Sequence, residues 1–159
     1  MPYPGVEEVN SYPLKTGEKI VSLSALPGNN MAVLTSNGIL FHPDIPGSAP
    51  ENLLPGENYY VSLNPVGNIF AVAGRKSMLF DPATHKKIII HDSTGPLALN
   101  AVAQFDEKKL CGVSIREVYW IDALSGEAKV LTTNLPERVR CICRGDGDTL
   151  WLGGLTGLW

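Results

Sequence analysis

The sequence predicts an all-β chain in which a unit of four short antiparallel strands recurs about four times, at intervals of 39–41 residues. Three observations predict it. Gly28-Asn-Asn-Met-Ala-Val-Leu34 matches Gly67-Asn-Ile-Phe-Ala-Val-Ala73, and Gly28 to Gly67, Ala32 to Ala71 and Phe41 to Phe80 are each 39 positions apart. No run of ten or more residues shows the 3.6-residue apolar period of a helix. Finally, 16 Gly and 12 Pro, an unusually high share for 159 residues, fall at regular intervals between the apolar runs. One four-stranded sheet exposes two apolar faces and is unstable alone, whereas stacking such sheets radially buries each face on the next. The repeat therefore has the dimension of a β-propeller blade.

Each copy divides into strands separated by turn chemistry. In the first, spanning about 18–54, Ile20 to Leu26 is one strand and Pro27-Gly-Asn-Asn30 a turn. Met31 to Leu34 is the second strand, and Asn37-Gly38 is a type I′ hairpin signal. Ile39 to Phe41 follows, and Glu51 to Leu54 is a polar outer strand. The second copy, about 57–91, gives Tyr59 to Leu63, Ile69 to Ala73, Met78 to Phe80 and Lys86 to Ile90. The third, about 96–132, gives Leu97 to Phe105, Leu110 to Val113, Glu117 to Ile121 and Ala128 to Leu131; Phe80 and Trp120, 40 apart, are taken as equivalent. The fourth, about 136–159, holds Leu150-Trp-Leu-Gly153 and Gly157-Leu-Trp159, and stops inside its third strand. Residues 6–14 have strand-like composition and are expected to supply a closing outer strand if the ring closes on itself. Otherwise the chain is a fragment of a longer propeller.

Composition narrows the partners. With 13 basic and 16 acidic residues the net charge is −3, and no basic block has the density of a nucleic-acid or anionic-membrane surface. No apolar run of eighteen residues is present, so no transmembrane helix is encoded, and the first residues lack the basic and apolar segments of a signal peptide. Cys111, Cys141 and Cys143 are an odd number. Two residues apart on a strand, Cys141 and Cys143 share a face but are poorly placed to bond each other.

Each candidate for chemistry has a plainer reading. His42 and Asp81 both precede a proline and read as turn starters, as does the region of His85. The third histidine, His91, joins them in no spaced His/Cys cluster, so no metal site is expected. Asp106, Glu107, Asp146 and Asp148 fall in hairpin turns and lack the twelve-residue pattern of a calcium loop. The glycines around Gly153 form no phosphate cradle, and Ser, His and Asp form no nucleophile elbow. Neither cofactor nor catalytic residues are expected. Phe41, Phe80, Trp120, Trp151 and Trp159 recur at blade-equivalent places and read as packing between blades. The residues left to bind something are non-equivalent ones in the loops of one rim: Tyr60, Arg75, Arg116 and Glu117.

The segment Asp146-Gly-Asp-Thr-Leu-Trp-Leu-Gly-Gly-Leu-Thr-Gly-Leu158 resembles the two-component regulator propeller repeat, whose signature is roughly Asp-Gly-x-Leu-Trp-Ile-Gly-Thr-x-x-Gly-Leu. Residues 67–82 match it fairly, and 28–43 and 110–122 in part. In that family such blades form the periplasmic sensor region of hybrid histidine kinases, which sense polysaccharide fragments. The resemblance implies a non-catalytic ligand-sensing module for signal transduction, taking a small molecule or oligosaccharide, or another protein. It also implies a periplasmic location and homo-oligomers or further blades. Three copies depart from the Trp-Ile-Gly-Thr core. Two other readings compete: a metal-dependent lactonase-like propeller hydrolase, for which Asn64 and Asn100 are the available inner-strand ligands, and a generic protein-interaction propeller.

Overall fold

The computed structural model describes residues 14–26, 30–41, 51–54 and 59–159. Within them the chain is all-β, three antiparallel four-stranded sheets followed by a hairpin, each formed from strands consecutive in sequence. The first sheet is β1 (Ile20–Leu26), β2 (Asn30–Thr35), β3 (Ile39–Phe41) and β4 (Glu51–Asn52); the second is β5 (Tyr60–Val66), β6 (Ile69–Gly74), β7 (Met78–Asp81) and β8 (Lys86–Ile89). A short hairpin, β9 (His91–Asp92) and β10 (Gly95–Pro96), leads into the third: β11 (Ala101–Gln104), β12 (Lys109–Val113), β13 (Val118–Asp122) and β14 (Ala128–Thr132). The fourth unit pairs β15 (Cys141–Arg144) with β16 (Leu150–Gly153), and an isolated antiparallel bridge joins Gly153 to Leu158. No helix in the described residues is long and apolar enough to cross a membrane. The expected closing strand at 6–14 lies outside the described residues, save Leu14, which is in irregular backbone.

The sheets stack as propeller blades. First strands lie side by side in the order β1, β5, β11, β15, and no contact of comparable extent links β15 back to β1. Apolar clusters fill the space between consecutive blades. Ala32 and Leu34 of the first blade meet Leu63, Phe70 and Val72 of the second. Ala71, Ala73 and Leu79 of the second meet Val102, Leu110, Tyr119 and Ile121 of the third. Ala101, Val113 and Val118 then meet Val139, Ile142 and Leu152. Successive side chains of a strand point to opposite faces, so alternate residues serve alternate interfaces. Each large side chain fully removed from water here contributes about 1.5–3 kcal/mol.

Register corrects two sequence expectations. Asp81 and Asp122 both end their strands by accepting two backbone N–H bonds in the following turn, from Ala83 and Thr84 and from Leu124 and Ser125 respectively. They are 41 apart, so Ile121, and not Trp120, is the equivalent of Phe80. A slip of one residue reverses the face. Phe80 is buried against the first blade, whereas Trp120 points the other way and stacks edge-on against Phe105 of its own blade at 4.7 Å. Trp151 and Trp159 do not fill a gap between blades either, being 44% and 40% exposed. The side chain of Phe41 lies outside the described residues.

Two local expectations also change. Only Gly38, at φ +74°, is left-handed at the β2–β3 turn, and its N–H bonds to the Thr35 carbonyl at 3.0 Å. The loop is therefore a type I turn followed by a left-handed glycine, and not type I′, which needs positive φ at both central residues. Residues Leu97 to Asn100 are not strand. Their amides go to Ile90, Gly74 and Val113, so the segment ties the second blade to the third before β11 begins.

Candidate functional site

The rim of the blades where β5, β11 and β15 begin carries the β6–β7 and β12–β13 turns. The segment entering β11, the β12–β13 turn and the connection from β14 to β15 enclose a cleft of about 450 Å³, walled by Tyr59, Asn100, Arg116, Glu117, Asn134 and Arg138 among others. A second concavity of about 300 Å³ between Val61 and Arg140 shares Asn100 and Arg138 with it. Asn100 is the hinge of both. Its side-chain amide donates to the Ser114 and Val139 carbonyls at 3.0 and 2.9 Å, which fixes the two loops against each other.

Basic groups outnumber acidic ones on the walls of these two concavities, Arg116, Arg138 and Arg140 against Glu117. Among the described residues the guanidinium groups of Arg116, Arg138 and Arg140 make no ion pair or hydrogen bond and are exposed. The neighbouring carboxylates are engaged. Glu117 accepts the Tyr119 hydroxyl at 2.5 Å and the more distant Ser114 hydroxyl at 3.4 Å. Burial, with Glu117 adding to it, pushes the Tyr119 phenol up to about 12. Glu137 turns away to cap the next loop, accepting the Leu155 and Thr156 N–H groups at 3.0 and 2.9 Å and the Thr156 hydroxyl at 2.9 Å. Burial raises its carboxyl, but these bonds together outweigh that and hold it below its ordinary value.

Of the four expected rim residues, the structure brings Arg116 and Glu117 together in this cleft. Tyr60 is only 6% exposed, its ring packed in the first interface, and the neighbouring Tyr59 lines the cleft in its place. Arg75 is exposed on the same rim, where its N–H bonds to the Tyr59 carbonyl at 3.1 Å. Sequence reasoning missed Asn134, Arg138 and Arg140. They lie in the connection between β14 and β15, with Arg138 and Arg140 inside the expected fourth copy, where Arg138-Val-Arg140 alternates a buried valine with two exposed arginines.

The remaining candidates are structural where they are described. His85, at φ +57°, places Nδ1 2.6 Å from Glu51, and His91 Nδ1 lies 3.0 Å from the Ile89 carbonyl; His42 lies outside the described residues. Asp106 accepts the Lys108 and Lys109 N–H groups at 2.8 Å, closing the β11–β12 turn. Burial, with Asp106 nearby, pushes the Cys111 thiol up to about 12. No three His, Cys, Asp or Glu side chains gather among the described residues. Asn64 donates to the Ser62 hydroxyl at 3.2 Å, so both inner-strand asparagines carry structural bonds.

No family model and no curated relative matches the chain. Solved structures do. The chain is similar to the computationally designed Ika4 protein at TM-score 0.66 and 14% identity, over 97% of this chain and 98% of that one. It is similar to YCF48 bound to D1 peptide at TM-score 0.56 and 12% identity, over 85% of this chain and 46% of that one. A third is PorZ, an essential bacterial surface component of the type-IX secretion system of Porphyromonas gingivalis: TM-score 0.56, 12% identity, 86% of this chain and 18% of that one. At such identities the likeness establishes a shared fold, and the stacked four-stranded sheets with their register make this chain a β-propeller arc.

Proposed function

We propose that this chain is a non-catalytic recognition propeller whose rim cleft takes a carboxylate-bearing segment of a partner protein. The observation that carries the reading is the cleft itself. Arg116, Arg138 and Arg140 stand unpaired around it while Glu117 and Glu137 are held by Tyr119 and by the 155–156 loop. Guanidinium groups recognise carboxylates through short charge-assisted hydrogen bonds, worth about 1.5–3 kcal/mol each when formed in a partly desolvated site. Tyr59 and the Asn134 amide add an amphipathic surface and a polar donor to the same wall. YCF48, solved with a bound peptide, offers a precedent on a similar fold.

The resemblance of Asp146–Leu158 to the two-component regulator repeat supports a second reading, a periplasmic sensor region taking a neutral oligosaccharide. One titration series separates them. Calorimetry with a hexaglutamate peptide, against a hexalysine control, should show saturable binding that weakens about tenfold or more in Arg138→Ala. A neutral glucose hexasaccharide that raises the melting temperature while hexaglutamate binds no better than hexalysine would replace the peptide reading with the sensor one. Equal binding of hexaglutamate by the wild type and Arg138→Ala would remove the cleft from the argument.

A further inference from the structure

Arg138 and Arg140 stand on a segment whose backbone is pinned at three points. The Val139 N–H bonds to the Ile115 carbonyl at 3.3 Å, the Val139 carbonyl accepts the Asn100 side-chain amide at 2.9 Å, and the Arg140 N–H bonds to the Gly153 carbonyl at 2.8 Å. Val139 is buried in the third apolar cluster, while both arginines are exposed. That alternation belongs to an extended chain, in which residues two apart share a face with their Cα atoms about 6.6 Å apart. Both arginines accordingly line one concavity of about 300 Å³, together with Val61 and Asn100. The repeat sets this place. Ser62, Ala101 and Cys141 pair equivalently with Ala73, Val113 and Gly153, so the residues before them, Val61, Asn100 and Arg140, are equivalents at the first strands of three successive blades. An apolar residue, an amide and a cation follow one another across that rim.

We infer that this site selects an extended partner segment with acidic residues at alternate positions, one carboxylate to each arginine, an inference that rests on the carboxylate reading of the cleft. In an extended segment the side chains two apart also project on one side at about 6.6 Å, so the spacings coincide, whereas adjacent acids point to opposite faces. A guanidinium engages a carboxylate through two parallel N–H bonds, so two unpaired guanidiniums on one face match two carboxylates better than one. The concavity has room for both. At about 30 Å³ per water, its 300 Å³ equals roughly ten waters, far more than one small anion fills. Because the backbone around Val139 is held before any partner arrives, binding has only the arginine side chains left to order on this side. Glu137, the carboxylate that could compete from the same segment, is occupied by the 155–156 loop.

The test is calorimetry of the full chain with two end-blocked peptides of one composition, Ala-Ala-Glu-Ala-Glu-Ala-Ala and Ala-Ala-Glu-Glu-Ala-Ala-Ala, beside the lysine control Ala-Ala-Lys-Ala-Lys-Ala-Ala. The alternating glutamate peptide should bind about tenfold more tightly than the adjacent one, the gain from engaging the second arginine. Arg140→Gln, at an exposed position, should leave the circular dichroism unchanged and bring the two glutamate peptides within about twofold of each other. An undiminished preference in that variant would overturn the inference. Equal binding of the two glutamate peptides by the wild type, both above the lysine control, would overturn the spacing and leave the carboxylate reading standing. Glutamate peptides that bind no better than the lysine control would remove both. Inorganic phosphate binding as tightly as the alternating peptide would also overturn the inference, because one small anion would then suffice. The wild-type comparison alone decides it if the variant fails to fold.

Discussion

The Ser77 hydroxyl accepts the Leu99 N–H at 3.0 Å and so joins the second blade to the third. The same hydroxyl accepts the Gly74 N–H at 3.3 Å and donates to the Gly74 carbonyl at 3.2 Å, while the Ser77 N–H bonds to the Leu97 carbonyl at 3.0 Å. Ser77 is fully buried. Ser77→Ala keeps the volume nearly unchanged, removes three hydrogen bonds and leaves the Leu99 N–H on the Gly74 carbonyl at 3.1 Å, and should cost about 1–3 kcal/mol. Urea unfolding followed by tryptophan fluorescence should show a lower midpoint with an unchanged slope. A midpoint matching the wild type would mean that the hydroxyl contributes nothing to the joint.

Gly126 and Gly147 both have left-handed φ, +75° and +61°, yet should respond differently to alanine. A Cβ at Gly147 meets open space, so only the conformational cost of about 1–2 kcal/mol applies. A Cβ at Gly126 falls 2.7 Å from the Ile89 backbone carbonyl, and the Gly126 carbonyl also takes the His91 N–H at 3.0 Å. Gly126→Ala must therefore also push the second and third blades apart. It should lower stability by at least about 1 kcal/mol more than Gly147→Ala in thermal melts of the two variants. Equal losses would place the whole effect in backbone conformation.

Glu51 links the outer strands of the first two blades, with Lys87 Nζ 2.8 Å and His85 Nδ1 2.6 Å from its two oxygens. Burial raises its carboxyl, but the bonds from Lys87 and His85 outweigh that and hold it below its ordinary value. A double-mutant cycle with Glu51→Gln and Lys87→Met should return a coupling of about 0.5–1 kcal/mol, the worth of a partly shielded surface pair. At about 1 M salt the coupling should fall, since the screening length is then about 3 Å. A salt-independent coupling would mark a packing effect.

How much was legible beforehand follows from how local each signal is. The strands around Ala32, Ala71 and Leu110 were readable because a compact apolar run between turn formers needs no partner to identify it. The face of Trp120 was not, because spacing alone cannot tell 40 from 41 residues, and only the turn caps at Asp81 and Asp122 fix the register. Tyr60 was chosen over Tyr59 for a related reason. The β-bulge between Tyr60 and Ser62 decides which of two adjacent tyrosines turns inward, and a bulge has no periodic signature. Arg138 and Arg140 escaped notice since a cleft made from three connections has no sequence motif at all.

Glu18 gives the acid limb of the stability curve a testable origin. It is 9% exposed and accepts the fully buried Thr35 hydroxyl at 2.6 Å and the Lys15 N–H at 3.0 Å. The Thr35 bond foremost, against the opposing effect of burial, holds its carboxyl below the ordinary 4.5. A carboxylate with a depressed folded-state pKa binds protons more readily when unfolded. Its stabilisation is thus complete above 4.5 and is lost as pH falls through the lower folded value. Glu18→Gln should cost about 1.5–3 kcal/mol at neutral pH, the worth of hydrogen bonds to a charged group. That gap should narrow as pH falls below 4.5 and close only below the lower folded value, where the wild-type carboxyl is neutral in the folded protein as well. Melting temperatures of the two proteins measured from neutral pH down into the acid range would show the curves converging. Parallel curves would mean that Glu18 acts through shape and not through charge.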